Sequence, residues 1–185
     1  MNIVKFVFNP LQENTYLAWD STLECVVIDA GNASAKEDRT LSDFIAEQGL
    51  TPVAAVNTHG HFDHFMGFAD FYRVQREIIK VYGAPEVLDY CGSIFSFIRH
   101  EEIPVLPFEP VEICGMEVTL FPVVHDTPTY GMRIRADGKT FVYSCDTRAE
   151  ICEESLDLMR DADLLLLDGI FPPGVNIAKH MNTAD

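Results

Sequence analysis

The sequence predicts an α/β protein built as layered sheets with helices on the outside. Three observations lead there. Short apolar runs of strand type alternate with segments of helical spacing over the whole length. No linker, internal repeat or low-complexity stretch divides the chain. Its 185 residues, 48% of them hydrophobic, suit a single domain spanning 1–185 that buries well over half of its unfolded surface.

The elements follow in chain order. "IVKFVF", "TYLAWD" and "ECVVIDAG" read as strands, with turn signals at Asn9-Pro10 and around Asp20-Ser21. "EDRTLSDFIAEQG" shows helical spacing at Leu41, Phe44 and Ile45, and Gly49 supplies a stop. "PVAAVNTH" is a buried strand running into a histidine-rich segment. A helix over "FMGFADFYRVQREII", a short strand "KVYG" and a helix over "APEVLDYCGSIFSFI" come next. "MEVTLFPVV" is a strand, and "YGMRIRADGKTFVYSCD" a hairpin turning at Asp137-Gly138. The helix "ICEESLDLMRDA" leads to a buried strand "DLLLLD" and then a Pro/Gly loop to His180. The closing "MNTAD" resembles the first turn of a helix capped by Asn182 or Thr183. Either that end frays, or the chain is a shortened form of a longer protein.

Bulk properties narrow the partners. Thirteen basic against 29 acidic residues give a formal charge of −16, which repels a polyphosphate backbone and argues against extended nucleic acid. The five cysteines form no Cys-x-x-Cys pair, which points to a reducing compartment instead of a disulfide framework. No apolar run approaches membrane-spanning length, and the start has no cleavage-type ending. A cytoplasmic protein acting on a small molecule is expected, with no membrane partner and with room for a homodimer.

The chemistry concentrates in "VNTHGHFDHFMG". Three of the six histidines, His59, His61 and His64, fall within six residues together with Asp63. Side chains two apart on a strand share a face, so His59 and His61 can converge on one metal ion, with Gly60 letting the backbone bend between them. Asp63 and His64, at the entrance to the next helix, can face a second ion. Neutral imidazoles with few carboxylates suit zinc, while manganese or iron also occupy mixed nitrogen/oxygen sites.

The frame His59-Gly60-His61-Phe62-Asp63-His64 resembles the defining run of the metallo-β-lactamase superfamily. "VVIDAG" resembles the strand that precedes it in that family. The resemblance covers essentially the whole chain and implies a four-layer αββα sandwich. Relative to it, this chain lacks a final helix and strand and so reads as truncated at its C-terminus. It also implies two divalent metal ions. His59, His61 and His125 would hold the first, Asp63 and His64 the second, and Asp146 of "FVYSCDT" would lie between them. Asp29 would then be a second carboxylate orienting a ligand histidine, or else a turn residue. Cys145 departs from the glycine common before that aspartate, and reads as a buried inert thiol or as a thiolate near the metal. No histidine follows His180, so the last ligand of the second site is missing, unless His180 swings in to supply it.

Two cations ~3.5–4 Å apart acidify a shared water and stabilise charge developing on a substrate, so hydrolysis by a metal-bound hydroxide is the expected chemistry. His61, where oxygen-reducing relatives carry glutamate, favours hydrolysis. "FNPLQENTYL" resembles the glyoxalase II-like thioesterases. By contrast, "HDTPTYG", "YSCDTR", "ADLLLLDGIF" and "KHMNTAD" resemble the phosphodiesterase branch, with ribonuclease Z and cyclic-phosphate phosphodiesterases. That branch implies that His180 acts on the leaving group, beside a catalytic Asp63 that orients the water. A small anionic phosphodiester is therefore the expected substrate. The alternatives are a thioester and a catalytically silent metal-binding protein. His100 near a helix end reads as a surface group, and Trp19 as packing; Arg148 and Lys179 read as solvated charges or as contacts to an anionic substrate, and Tyr130 as packing or pocket lining.

Overall fold

Residues 2–19 fold into an antiparallel pair: strand β1 (Asn2–Phe8) lies against β2 (Glu13–Trp19) in a register that sets Phe6 opposite Thr15. The computed structural model describes every residue except 62, 63, 65, 66, 68–77, 95, 97, 98, 170, 176, 177 and 185. The chain continues through β3 (Glu24–Ile28), helix α1 (Ala35–Glu47), β4 (Thr51–Val56), β5 (Ile79–Gly83), helix α2 (Pro85–Ile94) and β6 (His100–Pro104). These six strands form one sheet in the order β1-β2-β3-β4-β5-β6, antiparallel up to β3 and parallel beyond it. A second sheet, β11-β10-β9-β8-β7, comprises β7 (Pro110–Ile113), β8 (Met116–Val123), β9 (Thr129–Ala136), β10 (Lys139–Tyr143) and β11 (Leu164–Leu166), with helix α3 (Glu153–Met159) between the last two.

Side-chain alternation turns these sheets into layers. In β2, Tyr16 points to the second sheet and meets Tyr143 with ring centroids 4.9 Å apart. Trp19, of opposite parity, meets Phe44 of α1 at 6.1 Å. Helices α1 and α2 therefore cover the six-stranded sheet. Helix α3 covers the other, where Met159 packs with Phe121 and Val142. The order is αββα. Full burial of side chains such as Phe141, Met132 and Ile28 between the sheets stabilises this stack by about 1.5–3 kcal/mol each.

Local signals agree with the packing. Ser34 caps α1 by accepting from the Glu37 amide, and Gly49 closes it at φ +66°. Asp137 (φ 52°) and Gly138 (φ 68°) turn the β9–β10 hairpin with both residues left-handed, as a type I′ turn requires. At the other end of the chain, the Asn182 side chain accepts from the Ala184 amide at 2.8 Å. That is a capping-type bond on a turn, in the segment expected to open a helix.

Two expectations are corrected, and two strands are added. The leucine run at 164–167 is not buried: Leu164 is 46% exposed and Leu167 52%, because β11 is an edge strand paired only with β10 among the described residues. His100 opens strand β6 instead of ending a helix, and pairs with Glu102 at 3.0 Å. Strands β6 and β7 have no counterpart in the sequence reading. The helix expected over "FMGFADFYRVQREII" falls largely outside the described residues, and its last residue, Ile79, begins β5. Among the described residues no helix is long and apolar enough to cross a membrane.

Candidate metal centre

The C-terminal ends of β3, β4, β8, β10 and β11 meet at one edge of the sandwich, where the chain's polar residues gather. A bridge between His59 and Thr129, and a hydrogen bond from the Tyr130 amide to the Thr58 carbonyl, tie the two sheets together there. His59 follows β4, His125 follows β8 and Asp146 follows β10. Ligand atoms of His59, His61, His125 and Asp146 all lie within 4.8 Å of one another. Residues separated by up to 87 positions thus converge.

These donors fit a divalent cation. The Nε2 of His59 is fully buried and has no hydrogen-bond partner, an arrangement that is costly unless something else occupies its lone pair. Burial, reinforced by the neighbouring imidazoles of His64, His61, His125 and His180, holds His59 well below the usual imidazole range, hence neutral and able to coordinate. His125 donates Nδ1–H to the Lys179 carbonyl at 3.0 Å, which leaves its Nε2 for the centre. Burial also lowers its pKa. The donor set of three imidazole nitrogens and one carboxylate is that of a zinc-type site.

The second half of the site is built around His64. Its Nδ1 faces Asp29 Oδ2 at 3.1 Å and Glu13 Oε1 at 3.7 Å, and its Nε2 lies 3.9 Å from Asp146 Oδ2. Burial pulls its pKa down, but the bond and charge of Asp29, then Glu13 and Asp146, outweigh that and push it up to about 9. Asp146 stands between His64 and the histidine trio. Burial raises its carboxyl pKa, against the pull of His64 and His180. Asp63, expected beside His64, lies outside the described residues.

Asp29 does more than close a turn. Its Oδ1 accepts from the Thr58 amide at 2.9 Å, and its Oδ2 accepts from the Thr58 hydroxyl at 2.7 Å. Because the Thr58 proton goes to Asp29, the Thr58 oxygen, 3.1 Å from His59 Nδ1, is left to accept from that nitrogen. One buried carboxylate thus positions His64 directly and His59 through Thr58. Cys145 completes the layer, with Sγ 2.8 Å from the Thr58 hydroxyl and 3.3 Å from His59 Nδ1. Burial, with the charges of Asp29 and Asp146, holds its thiol well above the usual range, so it packs as a neutral thiol. Its φ of 57° is left-handed, a conformation in which glycine costs least.

His180 also belongs here. Its ring centre is 5.2 Å from that of His125, and its Nδ1 lies 2.7 Å from Asp168 Oδ2, a carboxylate that accepts from the Thr147 amide as well. The sequence assigns no site role to Glu13, Thr58, Asp168 or Asp126. Asp126 Oδ1 sits 3.2 Å from His61 Nε2 and 3.1 Å from His125 Nε2, while its other oxygen is ion-paired with Lys179. One signal could have found Asp168: like Asp29, it directly follows an apolar run. Glu13, the first residue of β2, carries none. Of the residues set aside earlier, Trp19 is core, and Tyr130 is buried with its hydroxyl on Glu86.

An αββα sandwich that gathers imidazoles and carboxylates at the strand ends is the architecture of the metallo-hydrolases. The chain belongs to the beta-lactamase superfamily domain family, whose model matches residues 24–184. It is 36% identical over 69 residues to the probable metallo-hydrolase YqgX of Bacillus subtilis, a match covering 37% of this chain and 30% of that one, so less than a third of that relative's length is spanned. The fold is similar to that of the metallo-beta-lactamase fold protein YhfI from Bacillus subtilis (TM-score 0.79, 21% identity, 97% of this chain and 77% of that one). It also matches a diphosphatase from the PhnP family (TM-score 0.71, 22% identity, 95% and 68%).

Proposed function

We propose that this protein is a metal-dependent hydrolase of small phosphodiesters. His59, His61 and His125 would hold one divalent ion, Asp63 and His64 a second, with Asp146 between them. When bound, such ions supply an acidified water and positive charge against the developing oxyanion. Zinc suits the donors best.

The chain's own residues account for the rest of the step. Water attacks phosphorus, the bond from phosphorus to the departing oxygen breaks, and that oxygen must take a proton. His180, held through Nδ1–H by Asp168, gives it the Nε2 proton that the ring carries when both nitrogens are protonated. This His180–Asp168 pair beside the metal ligands is the observation that carries the reading, because it provides an acid for a poor alkoxide leaving group. The likeness to a PhnP-family diphosphatase supports phosphorus chemistry without fixing the substrate. The acidic surface favours a small substrate over a nucleic acid chain.

The test is a panel of bis(p-nitrophenyl) phosphate, S-lactoylglutathione and nitrocefin with added zinc or manganese. Hydrolysis of the phosphodiester, lost in His59→Ala, is the expected result. Cleavage of the thioester alone would replace this reading with a thioesterase. Metal binding without turnover of any of the three would leave a silent metal-binding protein.

A further inference from the structure

A cleft of about 330 Å3 opens beside His61, lined otherwise by residues with no ligating role. Tyr90 and Val87 of α2 and Pro128 give it apolar walls. Tyr90 is 48% exposed, so part of this large aromatic residue faces open space beside the centre. Its ring packs against the metal-ligand loop: a Cβ at Gly60 would come within 2.6 Å of Cδ1 and 3.0 Å of Cε1. Glycine between His59 and His61 therefore does two things: it lets the backbone bend, and it makes room for the ring.

The one acidic group among the described lining residues is Glu86, whose carboxylate accepts from the buried Tyr130 hydroxyl and is thereby fixed in place. A fixed carboxylate repels a second anionic group and accepts from an N–H or O–H donor. An exposed aromatic face favours a flat ring stacked on it. The volume is at the small end of ligand pockets, enough for one ring system and not for a chain of them.

We infer that this cleft is the subsite for the retained arm of the substrate, and that it takes a flat, uncharged ring bearing a hydrogen-bond donor, stacked on Tyr90 with the donor on Glu86. This rests on the phosphodiester reading above and narrows it to diesters with a ring-bearing arm, of which a nucleoside is one chemical type.

Two esters with the same p-nitrophenolate leaving group test it: thymidine 5′-(p-nitrophenyl phosphate) and methyl p-nitrophenyl phosphate. The metal-loaded protein should favour the thymidine ester in kcat/KM by about tenfold, the scale of one base–aromatic stack. In Tyr90→Ala the ratio should fall close to one. Equal values for the two esters in the wild type, or a preference that survives Tyr90→Ala, would overturn the inference. A binding measurement separates its failure from that of the parent reading. Calorimetry should show phenylphosphonate binding about tenfold tighter than methylphosphonate, with 4-carboxyphenylphosphonate weaker than phenylphosphonate until Glu86→Gln restores it. If neither ester is hydrolysed, the phosphodiester reading falls while the phosphonates still decide the cleft. Phenylphosphonate binding no tighter than methylphosphonate refutes the subsite.

Discussion

Replacing Thr58 by valine isolates one oxygen atom on which both halves of the centre depend. The substitution conserves volume, so it opens no cavity at a position that is 0% exposed. What it removes is a hydroxyl that donates to Asp29 at 2.7 Å and sits 3.1 Å from His59 Nδ1 and 2.8 Å from Cys145 Sγ. The bond to the Asp29 carboxylate is worth roughly 1.5–3 kcal/mol, and leaving the buried His59 Nδ1–H only the weak Cys145 sulfur acceptor at 3.3 Å costs about 1 more. Asp29 keeps its contacts to the Thr58 amide and to His64, which limits the loss. The metal-free protein should therefore lose about 2–4 kcal/mol in urea denaturation. Affinity for the first zinc equivalent should fall by about 10–100-fold in a competition with a coloured chelator, since His59 is no longer held in its coordinating tautomer. Thr58→Ser, which keeps the oxygen, should retain most of both. A valine variant matching the wild type in stability and zinc affinity would refute the relay, and with it the claim that Asp29 positions His59.

Other perturbations probe separate parts of the molecule. Asp168→Asn removes the charge that holds His180, and should slow hydrolysis of an alkyl ester by about 10²-fold while slowing a p-nitrophenyl ester much less; equal effects on both would show that His180 is not the acid. Gly131→Ala would place a Cβ 2.3 Å from the Phe121 ring and 2.9 Å from the Tyr143 carbonyl, and should destabilise by about 1–3 kcal/mol or more, which an unchanged urea midpoint would disprove. Zinc at a hundredfold excess over its Kd should raise stability by about 2.7 kcal/mol, reversed by a chelator; no shift in melting would mean the folded chain does not bind it. The Thr22 hydroxyl and amide hold the Asp20 carboxyl below its usual range. Its depressed folded pKa means that this contribution is present above the unfolded value of about 3.9 and is lost as pH falls through the lower folded one. Acid denaturation of Asp20→Asn should accordingly be shallower than that of the wild type in this window, and parallel curves would count against the linkage.

What could be read in the sequence, and what could not, follows from where each signal resides. Interior strands such as β2, β4, β8 and β9 carry runs of apolar residues because both of their faces are covered, and those runs are visible without any partner. Strands β6 and β7 lie at sheet edges, where "HEEIP" places two glutamates toward solvent and "PVEI" begins with a residue that has no amide proton. Charge and proline are what keep an edge from pairing with another chain, and they are also what erase the periodic pattern. Strand β11 misleads in the opposite direction: four leucines in a row suggest burial, yet the edge leaves three of them largely exposed. The site divides along the same line. His59, His61 and His64 crowd into one short run after β4 and are found by local reading, while His125 and Asp146 are picked out by the family resemblance. Glu13, Thr58 and Asp168 act through those ligands, and their roles exist only once β2, β4 and β11 are brought to a common edge. A threonine beside a histidine carries no sequence signal of its own. Its function is conferred by a carboxylate 29 residues earlier, and only the fold puts that carboxylate 2.7 Å away.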